Sequence, residues 1–189
     1  MGLDYTDGCV NFRDVGEYVN LLMGRRVLKE RCLYRGGKIN HVADTGEVGG
    51  ARTIVNLRKG ADPPLEGTEG RHFPISNDYE KYDTADKVVA RWLSSVVQFL
   101  ALEECALPAL LHCTSGKDRT GVVVAAVLRI LSIPDSVIVE EYLLSDGEVQ
   151  EAWIQQSLAG IGDPTAYFSR VKGIERIHAR FGAETDSRA

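Results

Sequence analysis

Ten residues set between two apolar runs constrain this chain more than any other feature. Ala109-Leu110-Leu111 leads into His112-Cys113-Thr114-Ser115-Gly116-Lys117-Asp118-Arg119-Thr120-Gly121, and Val122 to Leu131 leads out. The first run is strand-length and follows Pro108; the second continues at helical length, apolar on nearly all faces. The order is a buried strand, a tight loop and a buried helix, with a thiol at the base of the loop.

Chemistry follows from the spacing. A loop wrapping from Cys113 to Arg119 turns successive backbone N–H groups into one concavity, a nest for an anion. The helix opening at its end adds its positive pole to the same spot. A phosphate fits there, and the same field stabilises a thiolate. Thr120 can donate a hydrogen bond to that sulfur. Arg119 can grip two phosphate oxygens at once. The arrangement suits attack by sulfur on phosphorus through a covalent cysteinyl-phosphate. A lone cysteine between a strand and a helix is more commonly a core residue. Gly116, Arg119, Thr120 and Gly121 at fixed offsets set the catalytic reading above that one. A nucleotide-binding P-loop is excluded, because Leu111 stands where its first glycine would be and Asp118 where Ser or Thr must follow the lysine. His112 is expected to orient the loop through a backbone hydrogen bond near the cysteine.

The loop resembles the active-site signature of the protein tyrosine phosphatase superfamily, HCxxGxxR followed by Ser or Thr. Gly116-Lys117-Asp118-Arg119-Thr120-Gly121 is similar to one branch of compact, mostly microbial members. Asn11-Phe12-Arg13-Asp14-Val15-Gly16 resembles that branch's NFRDLGG motif, with Glu17 at the second glycine. Leu33-Tyr34-Arg35-Gly36 resembles its LYRS segment, with Gly36 for serine. Thr53-Ile54-Val55-Asn56-Leu57-Arg58 resembles its strand ending in DLR, with Asn56 for Asp. The resemblance implies one phosphatase domain over 1–189, of α/β class, with a central mixed or parallel sheet flanked by helices. It implies no cofactor and no metal. The substrate phosphate would lie on Thr114, Ser115, Gly116, Lys117, Asp118 and Arg119. Arg13, Asp14, Arg35 and Arg58 are read first as structural ion pairs.

The reaction needs a general acid for the leaving oxygen. In the family an Asp on a separate upstream loop supplies it. Phe73-Pro74-Ile75-Ser76-Asn77-Asp78 resembles that segment, so Asp78 is the first choice. Asp118, inside the phosphate loop, is second; Asp83 and Asp86 are rivals. The expected catalytic set is Cys113, Arg119, Thr120 and one of these carboxylates. Lys117 adds a cation at the pocket rim, but Thr114 stands where lipid-directed members place a second lysine. Phosphotyrosine or mixed protein phosphatase activity is therefore preferred, with phosphoinositides as the alternative. A phosphate-binding pseudophosphatase and an arsenate reductase remain as other classes; the latter needs a resolving thiol, the nearest in sequence being Cys105.

Composition is ordinary for a soluble globular protein. The chain has 189 residues, 44% hydrophobic and 26% charged, with a net charge of −5. That charge argues against general nucleic-acid binding. No apolar stretch reaches the ~20 residues that span a bilayer, so no integral membrane association is expected. Cys9, Cys32, Cys105 and Cys113 show no zinc spacing and no CxxC pair, which reads as a reduced, cytoplasmic protein.

The remaining segments alternate between strand and helix. Residues 8–16 read as a loop or short strand, and Val27-Leu28 and Leu33 to Arg35 as short strands. His41 to Gly50 reads as a short helix, and Thr53 to Leu57 and Arg71 to Ile75 as strands. Thr84 is a plausible N-cap for a helix running to about Glu104, with Trp92 on its buried stripe. Ser136 to Leu144 and part of Gly147 to Gly162 read as helical. Phe168, Val171, Ile174, Ile177 and Phe181 form a last helical stripe, and 183–189 a frayed tail. Tyr79 and Tyr82 are the aromatics best placed to line a site; Trp153 could be core or exposed.

Overall fold

The computed structural model describes residues 3–183. The expected frayed tail therefore lies, apart from Ala183, outside the described residues. Five strands form one mixed sheet in the order β1-β2-β5-β3-β4: β1 (Arg13–Asp14), β2 (Leu33–Gly36), β3 (Thr53–Asn56), β4 (Glu69–His72) and β5 (Ala109–His112). β1 is antiparallel to β2, and the other pairings are parallel. The central strand β5 sets His112 level with Gly36 on one side and Asn56 on the other. Cys113 thus leaves the sheet at the carboxyl ends of three parallel strands, where open α/β sheets bind ligands.

Side chains alternate across the sheet. Leu33, Val55 and Leu111 join the main core with the helices, whereas Tyr34, Ile54 and Leu110 face a smaller cluster with Ile39, Val48 and Ala51. The helices gather over the first face. They are α1 (Val15–Met23), α2 (Lys87–Ala101), α3 (Asp118–Ile130), α4 (Asp135–Leu143), α5 (Glu151–Ile161), α6 (Pro164–Tyr167) and α7 (Arg176–Phe181). α3 is the hub, as its all-round apolar sequence requires: Val122 through Leu128 are buried without a break. Among the described residues, no helix is long and apolar enough to cross a membrane.

Several local expectations need correction. Residues 15–23 form a helix, although 8–16 were read as a loop or short strand and 17–23 were assigned to no element; Asp14 caps it by accepting from Gly16 N at 2.9 Å, and Gly24 closes it at φ +62°. Val27-Leu28 is not a strand, only a bridge from Leu28 to Gly182. The segment from His41 to Gly50 contains one 3-10 turn, Thr45–Val48. Asp86, not Thr84, caps α2, accepting from Val88 N and Val89 N at 2.8 and 3.1 Å. Thr84 instead donates to the Ser157 carbonyl. The last apolar stripe is not one helix: Gly173 at φ +75° separates α6 and α7, although Phe168, Val171, Ile177 and Phe181 are all buried.

Candidate active site

The loop from Cys113 to Arg119 is held by its carbonyls. Thr114 O accepts from Lys38 N at 3.0 Å, and Ser115 O from the Asn11 side-chain amide at 2.8 Å. Gly116 O accepts from Arg35 Nη2 at 2.9 Å, and Lys117 O from Gly121 N at 2.7 Å. Three consecutive carbonyls, those of Thr114, Ser115 and Gly116, are thus tied to the scaffold, and that of Lys117 starts the hydrogen bonding of α3. The N–H groups of Thr114 to Lys117 have no acceptor among the described residues. Cys113 lies at the centre, 2% exposed. The N-terminus of α3 aims at the same place, and Gly116 makes the turn possible at φ +74°. A Cβ on Gly116 would also sit 2.5 Å from the Gly36 carbonyl carbon.

Within this segment two buried donors, Thr120 Oγ1 and Arg119 Nε, have no partner among the described residues. Both are atoms a bound phosphate or a thiolate could use. Arg119 Nη2 donates to the Asn77 side-chain oxygen, so the loop carrying Asn77 reaches the guanidinium directly. Lys81 stands beside it; partial burial first, and Arg119 second, hold its ammonium below the usual lysine range.

Behind the loop the N-terminal motifs act as a brace. Glu141, 1% exposed, takes Arg13 Nε at 2.8 Å on one oxygen and Arg35 Nη1 on the other. The same Arg35 holds Gly116 O, which links a buried ion-pair triad to the phosphate loop. Arg58 pairs with Asp62 at 3.2 Å. Asp14 makes no ion pair among the described residues; it accepts Gly16 N and Arg31 N. The motif departures have local causes. Glu17 is exposed on α1, where no close approach demands glycine. Gly36 leaves room for a thiol: a Cβ there would lie 2.5 Å from Cys9 Sγ. Asn56 turns the chain, accepting Arg58 N and donating to Gly60 O.

An open cavity of about 490 Å3 stands above Cys113, lined also by Asn77, Tyr82, Asp118, Arg119 and Trp153. The expected site residues divide here. Asp118 faces the cavity, half-buried. Asp78 does not line it; its carboxylate is exposed and accepts from Ser76 Oγ at 2.6 Å. Asp86 is engaged in the α2 cap, and Asp83 lies near Tyr167. Lys117 lines the cavity but is drawn to Asp118 Oδ1 at 3.1 Å and Glu148 O at 2.8 Å. His112 differs from expectation. Its Nε2 meets the Asp62 carboxylate at 2.7 Å rather than a backbone group. Tyr82 lines the cavity, whereas Tyr79 is exposed outside it. Cys105 and Cys32 sit at the entry end of β5, about 13 Å of strand away from Cys113.

Asn77, Trp153 and Tyr142 were not singled out for the site. Asn77 lay inside the segment flagged for the acid, so a signal existed. Trp153 and Tyr142 arrive on helices far along the chain, with nothing local to mark them.

The comparisons with known proteins agree with this geometry. Residues 5–170 match the sequence model of the tyrosine phosphatase family. The triple specificity protein phosphatase PtpB of Mycobacterium tuberculosis is 39% identical over 77 residues, which are 41% of this chain and 26% of that protein. The core catalytic domain of the PP-IP phosphatase SIW14 from S. cerevisiae superposes with a TM-score of 0.57 at 16% identity, over 80% of this chain and 90% of that one. TpbA of P. aeruginosa superposes at 0.53 and 20% identity, over 75% and 86%. At those identities the two structures establish the fold alone. The family match runs unbroken from the N-terminal brace through the phosphate loop to beyond α6, and the chain belongs to the tyrosine phosphatase family.

Proposed function

We propose that this protein hydrolyses phosphomonoesters through a cysteinyl-phosphate on Cys113, with phosphotyrosine or mixed phosphoprotein as substrate. One observation carries the reading: three loop carbonyls are tied to the scaffold while the amides of Thr114 to Lys117, beside a buried thiol, have no acceptor among the described residues. A trianionic transition state would be met there by fixed N–H donors, Arg119 and the α3 terminus.

In the proposed reaction the Cys113 thiolate attacks phosphorus in line. The S–P bond forms as the P–O ester bond breaks, and the leaving oxygen takes a proton from Asp118. Water then attacks phosphorus and passes a proton to the Asp118 carboxylate. The S–P bond breaks, Thr120 Oγ1 donates to the returning sulfur, and phosphate leaves. Asp118 is preferred to Asp78 as the acid because its carboxylate faces the cavity and that of Asp78 does not. The aromatic faces of Tyr82 and Trp153 on the cavity wall support an aryl ester. Lys81, Lys117 and Arg119 on the same wall support phosphoinositides as the second reading, and the PtpB relative is described as having triple specificity. Four free cysteines support a reducing, cytoplasmic setting.

Rapid acid quench with a 32P-labelled aryl phosphate tests the chemistry. Label should be trapped on wild-type protein and not on Cys113→Ser, which should still bind phosphate. Turnover by Cys113→Ser at the wild-type rate would end the proposal. Asp118→Asn should lower kcat about a hundredfold for a phosphotyrosyl peptide, the range for a lost general acid. If Asp78→Asn does so instead, the acid is Asp78. Parallel turnover of phosphotyrosyl, phosphothreonyl and soluble inositol phosphate substrates separates the two substrate readings.

A further inference from the structure

The cavity wall holds a hydrogen-bonded chain that the proposed reaction has not used. Tyr82 is 7% exposed, and its hydroxyl lies 2.7 Å from Asp118 Oδ1 and 2.7 Å from the Tyr142 hydroxyl. A phenol has one proton. The proton of Tyr82 goes to Asp118 Oδ1, which accepts it, so Tyr142 donates to Tyr82. The direction runs Tyr142 to Tyr82 to Asp118. Three separate elements meet here: Tyr82 from the loop before α2, Asp118 from the first turn of α3, and Tyr142 from α4. The rings are packed as well, Tyr82 edge-on to Tyr142 at 6.2 Å and tilted against Trp153 at 5.6 Å.

The last residue of the decapeptide permits this. A Cβ on Gly121 would meet Tyr142 Cδ2 at 2.8 Å, so any larger residue would push the Tyr142 ring off α3. Burial first, together with the negative charge of Asp118, holds the Tyr82 phenol far above its usual range. Tyr82 is therefore a neutral donor near neutral pH.

Both donors to Asp118 use the same oxygen. Tyr82 and Lys117 bond Oδ1, and Oδ2 takes none from the described residues. A proton on the carboxyl would be repelled from the oxygen already facing two donors and would sit on Oδ2.

We propose that Tyr82, seated by Tyr142, is a positioning residue that locks the Asp118 carboxyl so that its protonated Oδ2 faces the leaving oxygen. The inference rests on Asp118 being the acid. Its test must separate the two, and leaving-group dependence does so. A good leaving group needs no proton, whereas a poor one does.

The experiment uses the full chain with a series of aryl phosphates whose phenols range from dinitrophenol to tyrosine. Tyr82→Phe keeps the ring and removes the donor. It should lower kcat about tenfold on tyrosine phosphate and less than about twofold on dinitrophenyl phosphate, with KM nearly unchanged. Tyr142→Phe should give the same pattern at smaller size, and it decides the matter if Tyr82→Phe fails to fold. The double variant Asp118→Asn with Tyr82→Phe should be no slower than Asp118→Asn alone, because Tyr82 acts only through that carboxyl. An equal loss on every substrate, no loss on tyrosine phosphate, or a double variant slower by the product of the two single losses would each overturn the inference. If Asp118→Asn alone shows no leaving-group dependence, the acid assignment falls and this inference falls with it.

Discussion

Glu141→Ala is the most severe single change the structure points to. One buried carboxylate serves two buried guanidiniums, with Arg13 6% and Arg35 0% exposed. Removing one partner of a buried ion pair costs about 3–5 kcal/mol, mostly for the charge left behind. Here two cations are stranded by one deletion, and each already repels the other; burial first and the Arg35 charge second hold Arg13 down to about 10. Some bonds survive: Arg13 keeps the Glu141 backbone carbonyl at 2.7 Å, and Arg35 keeps Gly116 O at 2.9 Å. The loss should therefore fall at the upper end of the range, about 5 kcal/mol, rather than at twice its middle. A domain of this kind has about 5–15 kcal/mol in total, so the variant would be near its limit at 37 °C. Arg13→Ala leaves Glu141 one cation and should cost about 3 kcal/mol, the lower end. Urea titration followed by the fluorescence of Trp92 and Trp153 measures both. The midpoint should shift with the slope unchanged. If Glu141→Ala lost under about 2 kcal/mol, or less than Arg13→Ala, the triad would not be the brace described here.

Two further outcomes follow from local geometry. Asp86→Ala removes the double cap of α2 and should cost about 1 kcal/mol in a thermal melt, with kcat/KM unchanged, because Asp86 does not line the cavity. Peroxide should link Cys113 to Cys9 and not to Cys32 or Cys105, whose strand-length separation exceeds disulfide reach. Peroxide oxidises the Cys113 sulfur to a sulfenic acid; the Cys9 thiolate attacks it, forms the S–S bond and releases hydroxide. Burial chiefly, with a smaller push from Cys113, raises the Cys9 thiol to about 12, so the linking rate should rise roughly tenfold per pH unit below that value. Tryptic peptide mass mapping checks the pairing, and a Cys105 bridge would contradict the topology.

The phosphate loop and its flanking elements were legible in sequence because they are local. A strand-length apolar run, a glycine-marked turn and a buried helix follow one another within residues 109–131, and the strand, loop and helix appear there in that order. Thr53 to Asn56 and the amphipathic run of α2 were legible for the same reason, through period and composition. α1 was missed although Asp14 and Gly24 mark its ends, because its stripe is narrow, with Val15 and Val19 as its buried apolar positions. The last helical stripe misled in a different way. Its apolar spacing reports which residues are buried, and a positive-φ glycine breaks the backbone without disturbing that spacing.

The candidate nucleophile Cys113, its arginine Arg119 and the tight turn between them were legible in the sequence alone, since they lie within seven consecutive residues. Tertiary structure decided what surrounds them. Asn11 reaches Ser115 across 104 residues, Arg35 reaches Gly116 across 81, and Tyr82 reaches Asp118 across 36. Whether Asp78 or Asp118 faces the cavity depends on how the loop before α2 packs against α4 and α5. No local period or propensity encodes that choice, because the contacts that set it are made only after the helices have docked on the sheet.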